Sequence, residues 1–161
     1  MKFLIDAKMK TLSGWKLILE KTVGGLEWIG FSRHSPSKLL CISSQKCTVI
    51  DCSDATVIEC DVDYDENLFV AICDQLPNEE ISIAGQYGGA LPLSTVQGEH
   101  VTIKTDCVNE TNIAFTVTFT SASKESYELF RNYGYYACGF SYDGNYFVFA
   151  QDAGISILQR T

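Results

Sequence analysis

Short stretches of alternating apolar and polar residues, cut at close intervals by turn residues, constrain this chain more than any other feature. Trp15, Leu17, Leu19 and Val23 alternate with Lys16, Glu20 and Thr22, and bursts rich in Val, Ile, Thr, Tyr and Phe recur along the length. Successive side chains of an extended strand point to opposite faces, so period two is what a half-buried strand requires. Turn signals spaced by roughly 8–12 residues then point to antiparallel strands following one another. The expectation is an all-β fold of antiparallel meanders.

Candidate strands are Phe3–Met9, Trp15–Val23, Leu26–Ser32, Lys38–Ser43, Thr48–Cys52, Thr56–Cys60, Asn67–Cys73, Glu80–Ala84, Val101–Thr105, Asn112–Thr120, Tyr135–Ser141, Tyr146–Ala150 and Ile155–Gln159. A helix over residues 15–22 competes with the second, and Gly24-Gly25 would stop either. At most one short helix is expected, at Lys124–Tyr133. Ser123 can cap it, Tyr127, Phe130 and Tyr133 share one side, and Gly134 suits the left-handed position past its end. A further strand at Tyr127–Phe130 is the alternative. Gly85–Gly98, with four glycines and a proline, reads as a long internal loop, and nothing else resembles a linker. Residues 1–161 are therefore read as one domain.

No apolar run approaches the roughly 20 residues that cross a bilayer. The opening apolar stretch Phe3–Ile5 is broken by Asp6 and Lys8, too short for a secretory core. A cytoplasmic chain without a membrane partner is expected. Seven cysteines stand at 41, 47, 52, 60, 73, 107 and 138, an odd number with no Cys-x-x-Cys spacing. Zinc ligands usually come as two close pairs, so no metal and no cofactor is expected, and the thiols are read as reduced, buried and inert. A formal net charge of −8 argues against nucleic acid, whose phosphates need cations. The charge is segregated: residues 1–46 carry +5, residues 47–110 carry −12 and residues 111–161 carry −1. Either the two halves neutralise each other in the fold, or the acidic part recruits a basic partner.

Two segments look alike. One runs from Trp28 to Asp51 through Gly30-Phe-Ser-Arg-His-Ser-Pro36. The other runs from Ala137 to Leu158 through Gly139-Phe-Ser-Tyr-Asp-Gly144. Each has Gly-Phe-Ser, a tight turn, an apolar strand, a second turn and a β-branched strand. This pattern resembles the inner three strands of a β-propeller blade of the WD-repeat or related type, although Ile157-Leu158 stands where a WD repeat has Trp-Asp. The resemblance implies a small or incomplete propeller-like arrangement acting as a binding platform. A β-barrel or sandwich of meanders is the alternative. Phe3–Met9 and Trp15–Val23 are expected to pair beside the C-terminal meander and cover its open edge, and a homodimer completing the sheet is a third outcome.

Candidate chemistry is sparse. Asp61, Asp63, Asp65 and Glu66 form the densest carboxylate cluster. The alternate aspartates open like a calcium loop, but Glu66 stands where that loop needs Gly and Ile72 where it needs Glu. Gly30-Phe-Ser-Arg-His34 and Gly139-Phe-Ser-Tyr-Asp143 begin like a hydrolase nucleophile elbow without its closing Gly. His34 and His100 have no local partner motif. By strand alternation Tyr136, Tyr142 and Tyr146 are expected to face outward as a sticky patch. The reading is a non-catalytic protein-interaction module binding through Asp61, Asp63, Asp65, Glu66, Tyr136, Tyr142 and Tyr146. The alternative is a small hydrolase or carbohydrate-active enzyme using the acidic segment 51–80.

Overall fold

The computed structural model describes residues 12–152 and 154–161. They form β1 (Trp15–Thr22), β2 (Leu26–Phe31), β3 (Lys38–Ser43), β4 (Cys47–Asp51), β5 (Thr56–Cys60), β6 (Val62–Asp65), β7 (Val70–Cys73) and β8 (Leu76–Ser82). Then follow β9 (Ala84–Gly85), β10 (His100–Cys107), β11 (Ile113–Thr120), β12 (Ser126–Asn132), β13 (Tyr135–Phe140), β14 (Tyr146–Gln151) and β15 (Gly154–Arg160). The fold is all-β, and the ladders within its four sheets are antiparallel. Among the described residues no helix is long and apolar enough to cross a membrane.

The strand orders are β1-β15-β14-β13, the closing sheet; β5-β4-β3-β2-β9, the front sheet; β6-β7-β8, the acidic sheet; and β10-β11-β12, the flank sheet. Three apolar cores fix how they stack. Leu26, Ile29, Phe31 and Leu39 of the front sheet meet Val148, Ala150, Ile155 and Ile157 of the closing sheet. On its other face the closing sheet gives Phe140, Phe147, Phe149 and Leu158 to a core shared with Val117, Phe119, Leu129 and Phe130 of the flank sheet. The front sheet's other face gives Trp28, Leu40, Ile42 and Val49 to a core shared with Ala71, Cys73, Leu76 and Ile81 of the acidic sheet. The order is therefore flank, closing, front, acidic. The two inner sheets are buried on both faces. Among the described residues no core joins the two outer sheets, so the stack is an open fan and not a closed ring.

The two Gly-Phe-Ser units occupy equivalent places as the β2–β3 and β13–β14 corners. The Ser32 amide donates to Lys38 O at 3.0 Å, and the Ser141 amide to Tyr146 O at 2.8 Å. Both serines are turn caps: Ser32 Oγ accepts from the Ser35 amide, and Ser141 Oγ donates to Asp143 and accepts from the Tyr146 amide. A strand follows each, where a nucleophile elbow needs a helix. Gly30 and Gly139 are required because another chain segment crosses them. A Cβ on Gly139 would sit 2.9 Å from Pro92 O and overlap Leu91, and one on Gly30 would overlap the Ser82 carbonyl.

The expected covering of the C-terminal edge is seen for Trp15–Thr22, which pairs with β15 from Trp15↔Arg160 to Thr22↔Gly154. Phe3–Met9 lies outside the described residues. The expected helix at 124–133 is a strand. Its ladder to β11 slips between Val117 and Thr118, so that Leu129 and Phe130 are both buried. That bulge breaks the two-residue alternation and mimics a helical face. Gly134 does adopt the left-handed conformation, with φ of 83°, but in the turn between β12 and β13.

Candidate functional site

The acidic sheet is the outer leaf beside the front sheet, and among the described residues no sheet packs on its far face. Residues 61–82 hold seven carboxylates and no Lys, Arg or His. Asp65 Oδ1 accepts the amides of Asn67 at 2.8 Å and Leu68 at 3.1 Å, closing the β6–β7 turn. Asp74 Oδ1 accepts the Asp61 amide at 2.9 Å and ties the β7–β8 hairpin to the start of β6. Val62 pairs with Cys73 and Asp63 with Ile72, so Val62 turns into the core beneath the sheet and Asp63 to its outer side.

The β7–β8 ladder is interrupted. Ala71 pairs with Ile81 and Cys73 with Leu76, leaving Pro77–Glu80 bulged opposite Ile72. Asn78 takes a positive φ of 64° inside this bulge. The bulge has two effects. It carries Glu79 to the β2–β3 corner, where the carboxylate accepts from Ser32 Oγ and from the amides of Arg33 at 3.1 Å and His34 at 3.4 Å. It also leaves Ile72 without a cross-strand neighbour on that side, 53% exposed. Around Ile72 lies a shallow depression of about 720 Å³, bordered by Asp61, Asp63, Asp74, Asn78 and Glu80. A second hollow of about 610 Å³, lined by Asp63, Asp65, Glu66 and Glu80, continues it.

The structure thus gathers Asp61, Asp63, Asp65 and Glu66 on one sheet, all exposed. They do not form a calcium loop. Asp63 and Asp65 lie on an extended strand, where every second residue is about 6.7 Å along, whereas calcium oxygens sit about 2.4 Å from the ion.

The tyrosines do not join them. Tyr146 is only 6% exposed and lies in the core between the closing and front sheets. The expectation that it faces outward fails because β14 is covered on both faces, so alternation there separates two cores and not core from solvent. Tyr136 is half-buried and donates to Asp152 at 3.1 Å. Tyr142 is half-buried beneath the Arg33 guanidinium, 3.9 Å from the ring centroid. His34 is exposed at the β2–β3 corner, and His100 is exposed at the start of β10 on the flank sheet.

All seven cysteines are free thiols. Burial pushes the thiols of Cys41 and Cys138 up to about 12. Cys107 departs from the expected burial and is exposed at the end of β10. Cysteines distant in sequence do approach one another in the fold. Cys60 and Cys73 come together with Asp74, their ligand atoms all within 4.8 Å of one another. Cys47 is the cross-strand partner of Cys60. Cys47, Cys60 and Cys73 are spaced at equal 13-residue intervals, which place them at the start of β4 and at the ends of β5 and β7. Comparison with protein families, with curated proteins and with solved structures finds no match for this chain.

Proposed function

We propose that this chain is a non-catalytic, cytoplasmic protein-interaction module whose acidic sheet engages a basic protein partner. The observation that supports this is the free face of β6–β8, an exposed Ile72 set among Asp61, Asp63, Asp74 and Glu80. An apolar centre with a charged rim is how protein interfaces divide labour: the centre is desolvated, and the rim sets encounter rate and register. The arrangement suits a lysine- or arginine-rich segment that carries one apolar anchor. In this reading the four sheets are propeller-like blades whose fan is left open, so that an outer blade offers a whole face to the partner.

The test is capture from source lysate at low and high salt, with wild type beside Asp63→Lys/Glu80→Lys. The two replacements reverse the local charge on exposed side chains, where substitutions shift stability by about 0.5 kcal/mol or less. A basic protein held at low salt, released at high salt and lost with the variant is the expected result. Capture unchanged by both salt and charge reversal would overturn the proposal.

A further inference from the structure

We propose that Cys60, Cys73 and Asp74 form a binding site for a zinc-class ion. Cys60 closes β5 at the edge of the front sheet, and Cys73 closes β7 in the middle of the acidic sheet. Only Asp61 separates Cys60 from β6, so this is a seam where the chain passes from one sheet to the next. The two sulfurs and a carboxylate oxygen lie within 4.8 Å of one another. Around a tetrahedral ion with metal–sulfur bonds of about 2.3 Å, neighbouring sulfurs stand about 3.8 Å apart. Closing the site therefore takes about 1 Å of side-chain adjustment.

The donor set selects the metal. Two thiolates with one carboxylate suit zinc and similar borderline-soft ions, and are a poor match for calcium or magnesium, which take oxygen throughout. The surroundings are prepared as well. Asp74 is held by the Asp61 amide at 2.9 Å, and Cys73 Sγ donates to the same Asp74 oxygen at 3.9 Å. Val62, Phe69 and Leu76 pack in the same core as these thiols and limit water access. Binding an ion displaces the thiol protons into solvent and leaves thiolates on the metal. The ion's role is structural: it staples the acidic sheet to the front sheet at the β5–β6 connection, where the chain first crosses between them.

The experiment uses the full chain, purified reduced. Cobalt(II) is titrated in as a spectroscopic stand-in and zinc is then added in competition, while bound zinc is counted after dialysis. The expected result is one ion per chain, a thiolate-to-cobalt charge-transfer band that zinc abolishes, and a thermal midpoint raised by zinc. Cys60→Ser/Cys73→Ser should lose the band, the stoichiometric ion and the zinc-induced rise. Cys107→Ser, on the flank sheet, should keep all three. Because the double variant removes a buried thiol, Asp74→Asn, which keeps the Oδ1 acceptor for the Asp61 amide, is a second probe at an exposed position, and its affinity for zinc should fall. Zinc binding that survives in Cys60→Ser/Cys73→Ser, binding lost with Cys107→Ser, or no stoichiometric ion on the reduced wild-type chain would each overturn the assignment. So would a Cys60–Cys73 disulfide that persists under reducing conditions.

Discussion

Replacing Glu99 by Gln should cost far more stability than removing a charge from an exposed side chain, and should do so with a defined pH signature. Glu99 sits just before β10 and is 2% exposed. Its carboxylate receives Arg160 Nη1 and Nη2, the latter at 3.0 Å, together with Trp15 Nε1 at 3.3 Å and Thr95 Oγ1. Arg160 also lies over the Trp15 ring, 4.7 Å from its centroid. One carboxylate thus ties β1, the end of β15 and the long loop before β10 to each other. Burial by itself would raise its pKa, but the hydrogen bonds from Arg160 and Thr95 outweigh that and hold it down to about 2, from 4.5.

At 1.36 kcal/mol per pH unit, this depression corresponds to about 3 kcal/mol of stability at neutral pH. The figure agrees with the roughly 3–5 kcal/mol lost when one partner of a buried ion pair is removed. Because the folded-state value is the lower one, the contribution is complete above about pH 4.5 and is lost as pH falls through about 2. At pH 3 about 2 kcal/mol of it should already be gone. Urea unfolding of wild type and Glu99→Gln at pH 7 and pH 3 measures this directly. The expected gap is about 3 kcal/mol at pH 7 and about 1 kcal/mol at pH 3. A gap below about 0.5 kcal/mol at pH 7, or one that does not narrow at pH 3, would refute the reasoning.

Two further outcomes are expected. Gly139→Ala places a methyl group into Leu91 and 2.9 Å from Pro92 O, so it should lower stability by about 1–3 kcal/mol, read as a shift of the urea midpoint. In native protein treated with a thiol reagent, Cys107 should label first, while buried Cys41 and Cys138 react only after unfolding; peptide mapping of a time course reads the order, and early labelling of Cys138 would contradict the packing of the closing sheet against the flank sheet.

Most strands were legible because their cores lie on one or both faces of short extended segments. Leu26–Phe31, Lys38–Ser43 and Tyr146–Gln151 are dense in apolar residues and bounded by turn formers. β6 was not legible. Its sequence, Val-Asp-Tyr-Asp, carries residues depleted from strands, and it is tolerated as a strand because its outer side meets water. β12 was hidden by its bulge at Leu129. Tyr146 departs from the alternation rule because alternation reports that two faces differ, not that one of them is wet. Contacts between distant residues left no local trace: Glu99 and Arg160 are 61 residues apart. The carboxylates of the candidate site were legible as a cluster, yet their arrangement around Ile72 depends on the bulge at Pro77–Glu80 in β8, which no periodicity announces.

The fold bears on both meanings of the segregated charge. Opposite charges cancel only where they approach within a Debye length, about 8 Å at physiological salt. Lys16 and Lys21 lie on β1 in the closing sheet, and the front sheet stands between that sheet and the acidic one. Lys21 borders the front sheet, lining a hollow with Cys41, Ser43 and Lys46. Arg33 is drawn over Tyr142, and Lys46 pairs with Glu59 at 3.7 Å on the edge of the front sheet. Glu79 is the acid that turns inward, and it is met by a serine and two amides, not by a cation. Part of the charge is therefore neutralised within the fold, where Lys38 stands opposite Asp51 across the β3–β4 ladder and Lys46 meets Glu59, while Asp61, Asp63, Asp74 and Glu80 stay exposed on the acidic sheet.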